Sequence, residues 1–429
     1  MTGQKSLQIL IIGSGGREHA IVWKAAHSQR LGKIYALPGN PGTAQLGENI
    51  TGILPEDHLA IRNFCIEKQI DLVIIGPEIY LAAGLADFLI EAGVKVFGPS
   101  RAAAQIESSK VFSKDFMSRH GIPTARYTSF NNLAEALTHL ERVNYPVVIK
   151  ASGLAAGKGV ILPESMQEAK EALESILEGQ VFGAASSEVV IEERLSGQEV
   201  TLLSFCDGVT VKPMLPSQDH KRALEGDLGF NTGGMGAYAP VPACPPNMVE
   251  QLVQMALQPA LDGLREEGYP FVGVLYGGFM LTPDGPRVIE FNCRFGDPET
   301  QVVLPLLESD ILDIAMACVE GHLDQMEICW KNGAAACVVL ASVGYPGKYL
   351  TGYPIAGLEA KIPETIVFQA GTKCVEGKIV SAGGRVLCVT GLGADIRQAL
   401  RVAYERIQSI RFEGMQYRRD IGWRVMGEK

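Results

Sequence analysis

The 429-residue chain sets 38 Lys and Arg against 48 Asp and Glu, a net charge of −10 with pI near 5.4, which argues against a nucleic-acid or anionic-membrane surface. Hydrophobic residues make up 47% of it, enough for more than one core, and the length suggests roughly two to four domains. The nine cysteines form no C-x-x-C pair and sit mostly in apolar runs such as 334–340, as reduced core thiols of a cytoplasmic protein do. No apolar run is long enough to span a bilayer, and no signal-like stretch precedes the first strand.

Residues 7–12, 33–36, 71–75 and 94–97 read as strands, and 20–27, 58–68 and 83–93 as amphipathic helices. This alternation predicts a parallel sheet with crossover helices. The first loop, Gly13-Ser14-Gly15-Gly16-Arg17-Glu18, resembles a dinucleotide fingerprint but lacks its third glycine. The second strand ends near Asn40 without an acid for a ribose diol, which disfavours a nicotinamide enzyme. A Gly-rich loop opening on a helix N-terminus still makes a phosphate seat; a tight strand-to-helix turn is the plainer alternative.

A helix over 108–120 carries Lys110 near its start, and a smaller αβ unit spans roughly 123–190. Inside it an apolar strand delivers Lys150, followed by Ser152-Gly153-Leu154-Ala155-Ala156-Gly157-Lys158-Gly159. The spacing is wrong for a Walker A loop, and no Ser or Thr follows Lys158. The next residues, 160–163, read as a strand. The expectation is a mobile β-hairpin whose backbone N–H groups close over phosphates; a flexible surface hairpin is the alternative. At 189–199 a strand, an acidic corner (Glu192, Glu193, Leu195) and a second strand with Glu199 could serve an adenine edge and a ribose. Acidic corners of this kind are also common solvated faces.

The most informative stretch is 288–299. Strand alternation puts Glu290 and Asn292 on one face, where a carboxylate and an amide oxygen suit Mg²⁺ shared with phosphates. Arg294 continues that face and can grip a carboxylate or phosphate, while Cys293 points into packing. Asp297-Pro298 reads as an N-cap and first-turn proline of a helix aimed at the site. A mixed sheet is expected to carry this strand to about 317. After Lys331, strands at 334–342, 366–370 and 385–391 and a helix at 396–409 predict a separate C-terminal lobe; 381–385 reads either as a lining of the substrate cleft or, the favoured reading, as a hairpin turn.

Taken in order, 13–19, 39–43, 76–78, 150–160, 217–222, 231–238, 290–299 and 370–373 make the chain resemble, end to end, the ATP-grasp superfamily and within it the glycinamide ribonucleotide synthetase (phosphoribosylamine–glycine ligase) family. The resemblance implies an α/β chain: an N-terminal parallel-sheet (pre-ATP-grasp) domain over 1–107, a two-lobed ATP-grasp domain over 108–317 with its small lobe at about 123–190, and a smaller C-terminal αβ lobe over 318–429. It implies ATP-dependent joining of glycine to 5-phosphoribosylamine, with Mg²⁺ or Mn²⁺, small-molecule partners only and a monomer.

The same resemblance assigns Glu290 and Asn292 to the metal. Lys110, Lys150, Gly153, Gly157, Lys158 and Gly159 would meet the nucleotide phosphates, Glu192, Glu193 and Leu195 the adenine, and Glu199 the ribose. Arg294 would meet the glycine carboxylate and, with Lys150, the transferring phosphoryl. Asp219, His220, Lys221, Asn231, Gly233 and Gly234 would form the glycine and acyl-phosphate side, with His220 as acid/base or orienting donor. Gly15, Gly16, Arg17, Asn40, Pro41, Gly42, Thr43 and Glu78 would hold phosphoribosylamine. Two departures stand out: Gly277-Gly278-Phe279 replaces an acidic metal ligand that many ATP-grasp families carry, and Gly229-Phe230-Asn231 replaces Gly-Pro-Asn. The rival readings are a bicarbonate-phosphorylating relative, such as the purine-pathway carboxylase or a biotin-carboxylase-like enzyme, and a nucleotide-binding regulator without turnover.

Overall fold

A computed structural model describes residues 6–155 and 159–427. Strands Leu7–Gly13, Leu31–Pro38, Glu48–Asn49, Leu72–Ile75 and Val96–Phe97 pair in parallel throughout, in spatial order third, second, first, fourth, fifth. Ile9, Leu10, Ile11 and Ile12 are wholly buried, as a parallel sheet covered on both faces requires. The order reverses at the first strand, so the loop after Gly13 lies beside the loop at Gly76-Pro77, the crevice where such sheets bind ligands. The helix expected at 83–93 is two, Glu78–Ala82 and Leu85–Glu91, because Gly84 adopts a left-handed conformation between them (φ +86°).

The small lobe is an antiparallel sheet of Tyr127–Phe130, Val189–Glu193, Val147–Ala151 and Val160–Ile161. Helices Leu133–Leu140 and Met166–Leu177, capped by Asn132 and Ser165, cover it. Leu140, Ile149, Leu173, Ile176 and Ile191 give this lobe a core of its own.

The sheet bearing Glu290 comprises Val211–Pro213, Gln198–Asp207, Val272–Thr282 and Gly285–Asn292. It is antiparallel, not mixed: Pro283 and Asp284 alone join its last two strands, and so short a link permits only a hairpin.

Ala334–Ser342 is buried along its whole length. It pairs with Arg385–Gly393, which pairs with Thr365–Gln369, and helix Ile396–Ile407 packs close over Gly391, where a Cβ would collide with the helix backbone. This lobe is not separate, however. On its other edge Ala334–Ser342 pairs with Gly236–Ala239, which pairs with Gln218–Asp219, so the C-terminal sheet is completed by strands from the middle of the chain. Residues 381–385 are no hairpin: Lys378–Ser381 pairs with Thr372–Val375, and the chain crosses to another sheet before Arg385.

Candidate active site

Glu290 stands opposite Gly278 across the hairpin, where a Cβ would come within 3.3 Å of Glu290 Cγ. The position of the absent acid is therefore filled closely by the Glu290 side chain itself, which leaves little room for a second side chain there. Lys221 Nζ lies 4.0 Å from Glu290 Oε1 and 3.0 Å from Glu199 Oε2. Burial alone would push the Glu290 carboxyl up, but Lys221, Lys150, Lys110 and Arg294 hold it below the ordinary value. Asn292, two residues on, makes no side-chain hydrogen bond among the described residues. An ionised carboxylate and a free amide oxygen on one strand face fit a hard divalent cation whose remaining ligands are phosphate and water.

Lys150 Nζ donates to the Ile289 carbonyl (3.3 Å) and ion-pairs with Glu192 Oε1 at 2.9 Å, while Lys114 grips the other Glu192 oxygen at 2.9 Å. The Glu192 side chain is thus turned into the protein and braces two lysines; it does not line an adenine pocket. Alternation sends Glu193 the other way, where Arg126 holds it through two N–H groups (2.9 and 3.1 Å). The half-buried Leu195, whose backbone N–H has no partner among the described residues, is what remains of the expected hinge. Lys114 escaped the sequence reading. Its signal was its i+4 spacing from Lys110, which puts both lysines on one helix face.

Lys110 opens helix Lys110–Arg119, capped by Ser109; its Nζ donates to the Gly153 carbonyl (3.2 Å). Gly153 packs against Ala185, whose Cα lies 2.7 Å from where a Cβ would stand. The Gly159 carbonyl accepts from Ala151 N–H (2.8 Å), closing the expected hairpin at its base. Gly157 and Lys158 lie outside the described residues.

On the facing wall, alternation splits the Asp219-His220-Lys221 triplet. Asp219 and Lys221 share the cleft side. Burial, reinforced by Glu299, Glu199 and Glu290, pushes the Asp219 carboxyl up to about 7 despite Lys221. His220 points the opposite way and is fully buried. Its Nε2 accepts from Gly422 N–H (3.0 Å), and burial with Arg424 and Arg418 nearby drives its pKa down to about 3. It is a neutral structural acceptor, which corrects the acid/base reading. Asn231 pairs with Arg222 at the base of a hairpin. Gly233 N–H donates to Tyr345 Oη (3.0 Å), and Gly234 needs its φ of +109° to pass against Pro298.

The Asp297-Pro298 turn is also corrected. Its peptide is cis, and the helix that follows is only Thr300–Val303 with Glu299 at its cap, so no helix dipole is aimed at the cleft. Asp297 instead binds Arg385 (2.9 Å), which also donates to the Gly233 and Asp297 carbonyls (2.6 and 2.8 Å). Buried Glu299 accepts from Tyr276 Oη (3.0 Å). Arg385 ends the 381–385 segment, one of whose two sequence readings is a lining of the substrate cleft; Glu299 carries no role in the sequence reading.

In the N-terminal crevice, Gly15 caps helix Gly16–Ala25 and its N–H donates to Glu18 (2.6 Å). Gly16 packs against Gln301. Arg17 lies 2.5 Å from Glu18 and 3.8 Å from Glu78. Asn40 donates to the Ser14 and Gln369 carbonyls (both 2.8 Å) and accepts from Gly42 and Thr43 N–H, so its side chain shapes the loop. Thr43 is buried in the same network. Pro41 lies half-buried between them, and Gly42 covers the His19 ring, which a Cβ there would overlap. Arg294 joins this crevice to the cleft: its Nε donates to Glu78 (3.2 Å) and its Nη2 to Glu107 (2.8 Å). Burial opposes ionisation of Glu78, but Arg294 and Arg17 bring its carboxyl down to about 2.

A small lobe with its own core, a lysine-bearing strand, the paired base of a glycine loop and a carboxylate–amide strand together mark an ATP-grasp protein, a class that uses ATP with a divalent metal. The models for the N domain, the ATP-grasp (A) domain and the C domain of phosphoribosylglycinamide synthetase match residues 7–107, 108–300 and 335–424. Phosphoribosylamine–glycine ligase of Vibrio vulnificus (strain CMCP6) is 47% identical over 427 residues, 99% of either chain. The trifunctional purine biosynthetic protein adenosine-3 of Homo sapiens is 49% identical over 98% of this chain but only 42% of its own length; the chain spans about half or less of such multifunctional relatives. The crystal structure of phosphoribosylamine–glycine ligase from Thermotoga maritima superposes with a TM-score of 0.83 at 34% identity, covering 96% of this chain and all of that one. A biotin carboxylase from Campylobacter jejuni shares the fold alone (TM-score 0.74, 14% identity). The chain belongs to the phosphoribosylglycinamide synthetase family.

Proposed function

We propose that the chain joins glycine to 5-phosphoribosylamine at the expense of ATP, giving glycinamide ribonucleotide, ADP and phosphate in purine biosynthesis. The observation that carries this reading is the ring of Lys110, Lys150, Lys221 and Arg294 around an ionised Glu290, set beside the Arg17–Glu78 crevice and matched at near half identity along entire ligases of this name.

A carboxylate resists attack because oxide is a hopeless leaving group. A glycine oxygen therefore attacks the γ-phosphorus; the new O–P bond forms as the bond to ADP breaks, giving glycyl phosphate. The ribosylamine nitrogen then adds to the carbonyl and phosphate departs with that oxygen. Such transfer needs positioning and charge compensation more than covalent help. Lys110, Lys150 and the Gly153–Gly159 hairpin face the phosphates, Leu195 the adenine, and Glu199 the ribose. Arg294 brings two anions together, and Lys221, Asn231, Gly233 and Gly234 wall the acyl group. Asp219, titrating near neutrality, suits the proton the amine must lose. Glu290 and Asn292 would hold Mg²⁺, with Mn²⁺ as a substitute; a divalent ion there supplies neutralisation of phosphate charge.

Glycine labelled with heavy oxygen in its carboxylate should pass one labelled oxygen to phosphate per product formed. Unlabelled phosphate would overturn the mechanism. Bicarbonate-dependent ADP release without glycine would favour the carboxylase-like rival, which shares only the fold.

A further inference from the structure

Arg294 owes its orientation to a carboxylate that no role above requires. Glu107, in the short helix Gln105–Ser108, keeps only 6% of its side chain exposed. One of its oxygens accepts the Cys293 N–H at 2.7 Å and the other receives Arg294 Nη2 at 2.8 Å. A single rigid group thus fixes the backbone just past Asn292 and the guanidinium one residue further on. Arg294 Nε is taken by Glu78 at 3.2 Å and one Nη1 hydrogen by the Phe295 carbonyl at 3.3 Å. A guanidinium has five N–H donors. Among the described residues these three bonds leave one hydrogen on each terminal nitrogen, the pair able to grip an anion through two parallel bonds. Burying a carboxylate is costly unless it is paired, and among the described residues Glu107 is paired only with the Cys293 N–H and Arg294, the two groups whose placement the cleft needs.

We propose that Glu107 is a positioning residue of the ligase: it aims the two free N–H groups of Arg294 at the glycine carboxylate and the transferring phosphoryl, without touching either. This rests on the ligase reading above and adds to it a specificity determinant for glycine. Its plain competitor is that Glu107 merely props up the strand end through Cys293.

Glutamine at 107 keeps the shape but has one acceptor oxygen for two donors. In the full chain, Glu107→Gln should lower kcat roughly 10- to 100-fold, the scale of a misplaced catalytic group, and raise KM for glycine several-fold. KM for ATP should stay within about twofold, because Lys110 and Lys150 are held by Gly153 and Glu192. Combined with Arg294→Lys, the two losses should be strongly non-additive. Unchanged glycine kinetics, additive losses, or an equal decline toward all three substrates would overturn the proposal. Should Glu107→Gln not fold, Glu107→Asp carries the same expectation, and a normal glycine KM in it would overturn the proposal equally. Failure of the ligase reading is a separate outcome: the unaltered chain would then release no phosphate with ATP, glycine and phosphoribosylamine.

Discussion

Each charged group in the cleft is set by its neighbours. Glu290 is kept ionised by four cations although burial opposes it, so removing its charge unbalances the lysines and, on the proposed assignment, takes away the metal's counterpart. Glu290→Gln should cut turnover by at least ~100-fold, the scale of one lost electrostatic contact to developing charge, with the fold retained. Near-normal activity at limiting Mg²⁺ would refute the metal assignment. Asp219 is the opposite case. Its folded pKa, about 7, exceeds the unfolded value, so its ionisation destabilises the protein as pH rises from about 4 to 7. Asp219→Asn should therefore unfold at a higher temperature than the unaltered chain at pH 8, and at the same or a lower one at pH 4. It should also lose the limb of the pH–rate profile that climbs through pH 7. An Asp219→Asn enzyme with an unaltered profile would exclude Asp219 as the proton acceptor.

At the scale of elements, two histidines hold the domains together in the same way. His19 Nδ1 accepts from Gln369 N–H (2.8 Å), joining the first helix to a C-terminal strand, and His220 accepts from Gly422 N–H. Burial depresses their pKa values to about 4 and about 3. A depressed histidine contributes stability above its unfolded pKa of about 6.5 and loses it as pH falls through the folded value. Protonation takes away the lone pair each N–H needs. Acidification from pH 6.5 to 4 should thus release 365–369 and 418–426 before the N-terminal sheet. Hydrogen exchange showing uniform loss across the chain would contradict this.

Elements built on long apolar runs were legible in the sequence. Ala334–Ser342 falls where the pattern puts it, and so do the N-terminal parallel strands and the glycine hairpin. What could not be read depended on partners remote in sequence. The direction of His220 is fixed by Gly422, and Glu192 faces inward because Lys114 and Lys150 meet there. The turn at Asp297-Pro298 follows Arg385. Single residues of the strand Gly285–Asn292 stood out because alternation is a local rule; Lys114 carries only its i+4 spacing from Lys110, and Glu107 and Glu299 carry no local mark.

For the whole molecule, the strongest departure from expectation is the shared sheet. Gly236–Ala239 has Gln218–Asp219 on one side and Ala334–Ser342 on the other, so the wall bearing Asp219, Lys221 and Gly234 is anchored in the C-terminal lobe, and Arg385 pins its rim to Asp297. A chain stopped at residue 317 should therefore lose glycine-dependent turnover entirely. The small lobe, with its own core, should persist in that fragment, and retained turnover would show the wall to be self-supporting. The same connectivity sets a timetable for synthesis. A ribosome finishes Lys110, Lys150, the paired base of the hairpin and Glu290 well before Ala334–Ser342 has left the exit tunnel. For that interval the growing chain carries a nucleotide cleft with one wall unbuilt and the apolar edge of Gly236–Ala239 unpaired, an edge open to other strands. On the proposed ligase reading, the ability to accept glycine is thus the last property the nascent protein acquires.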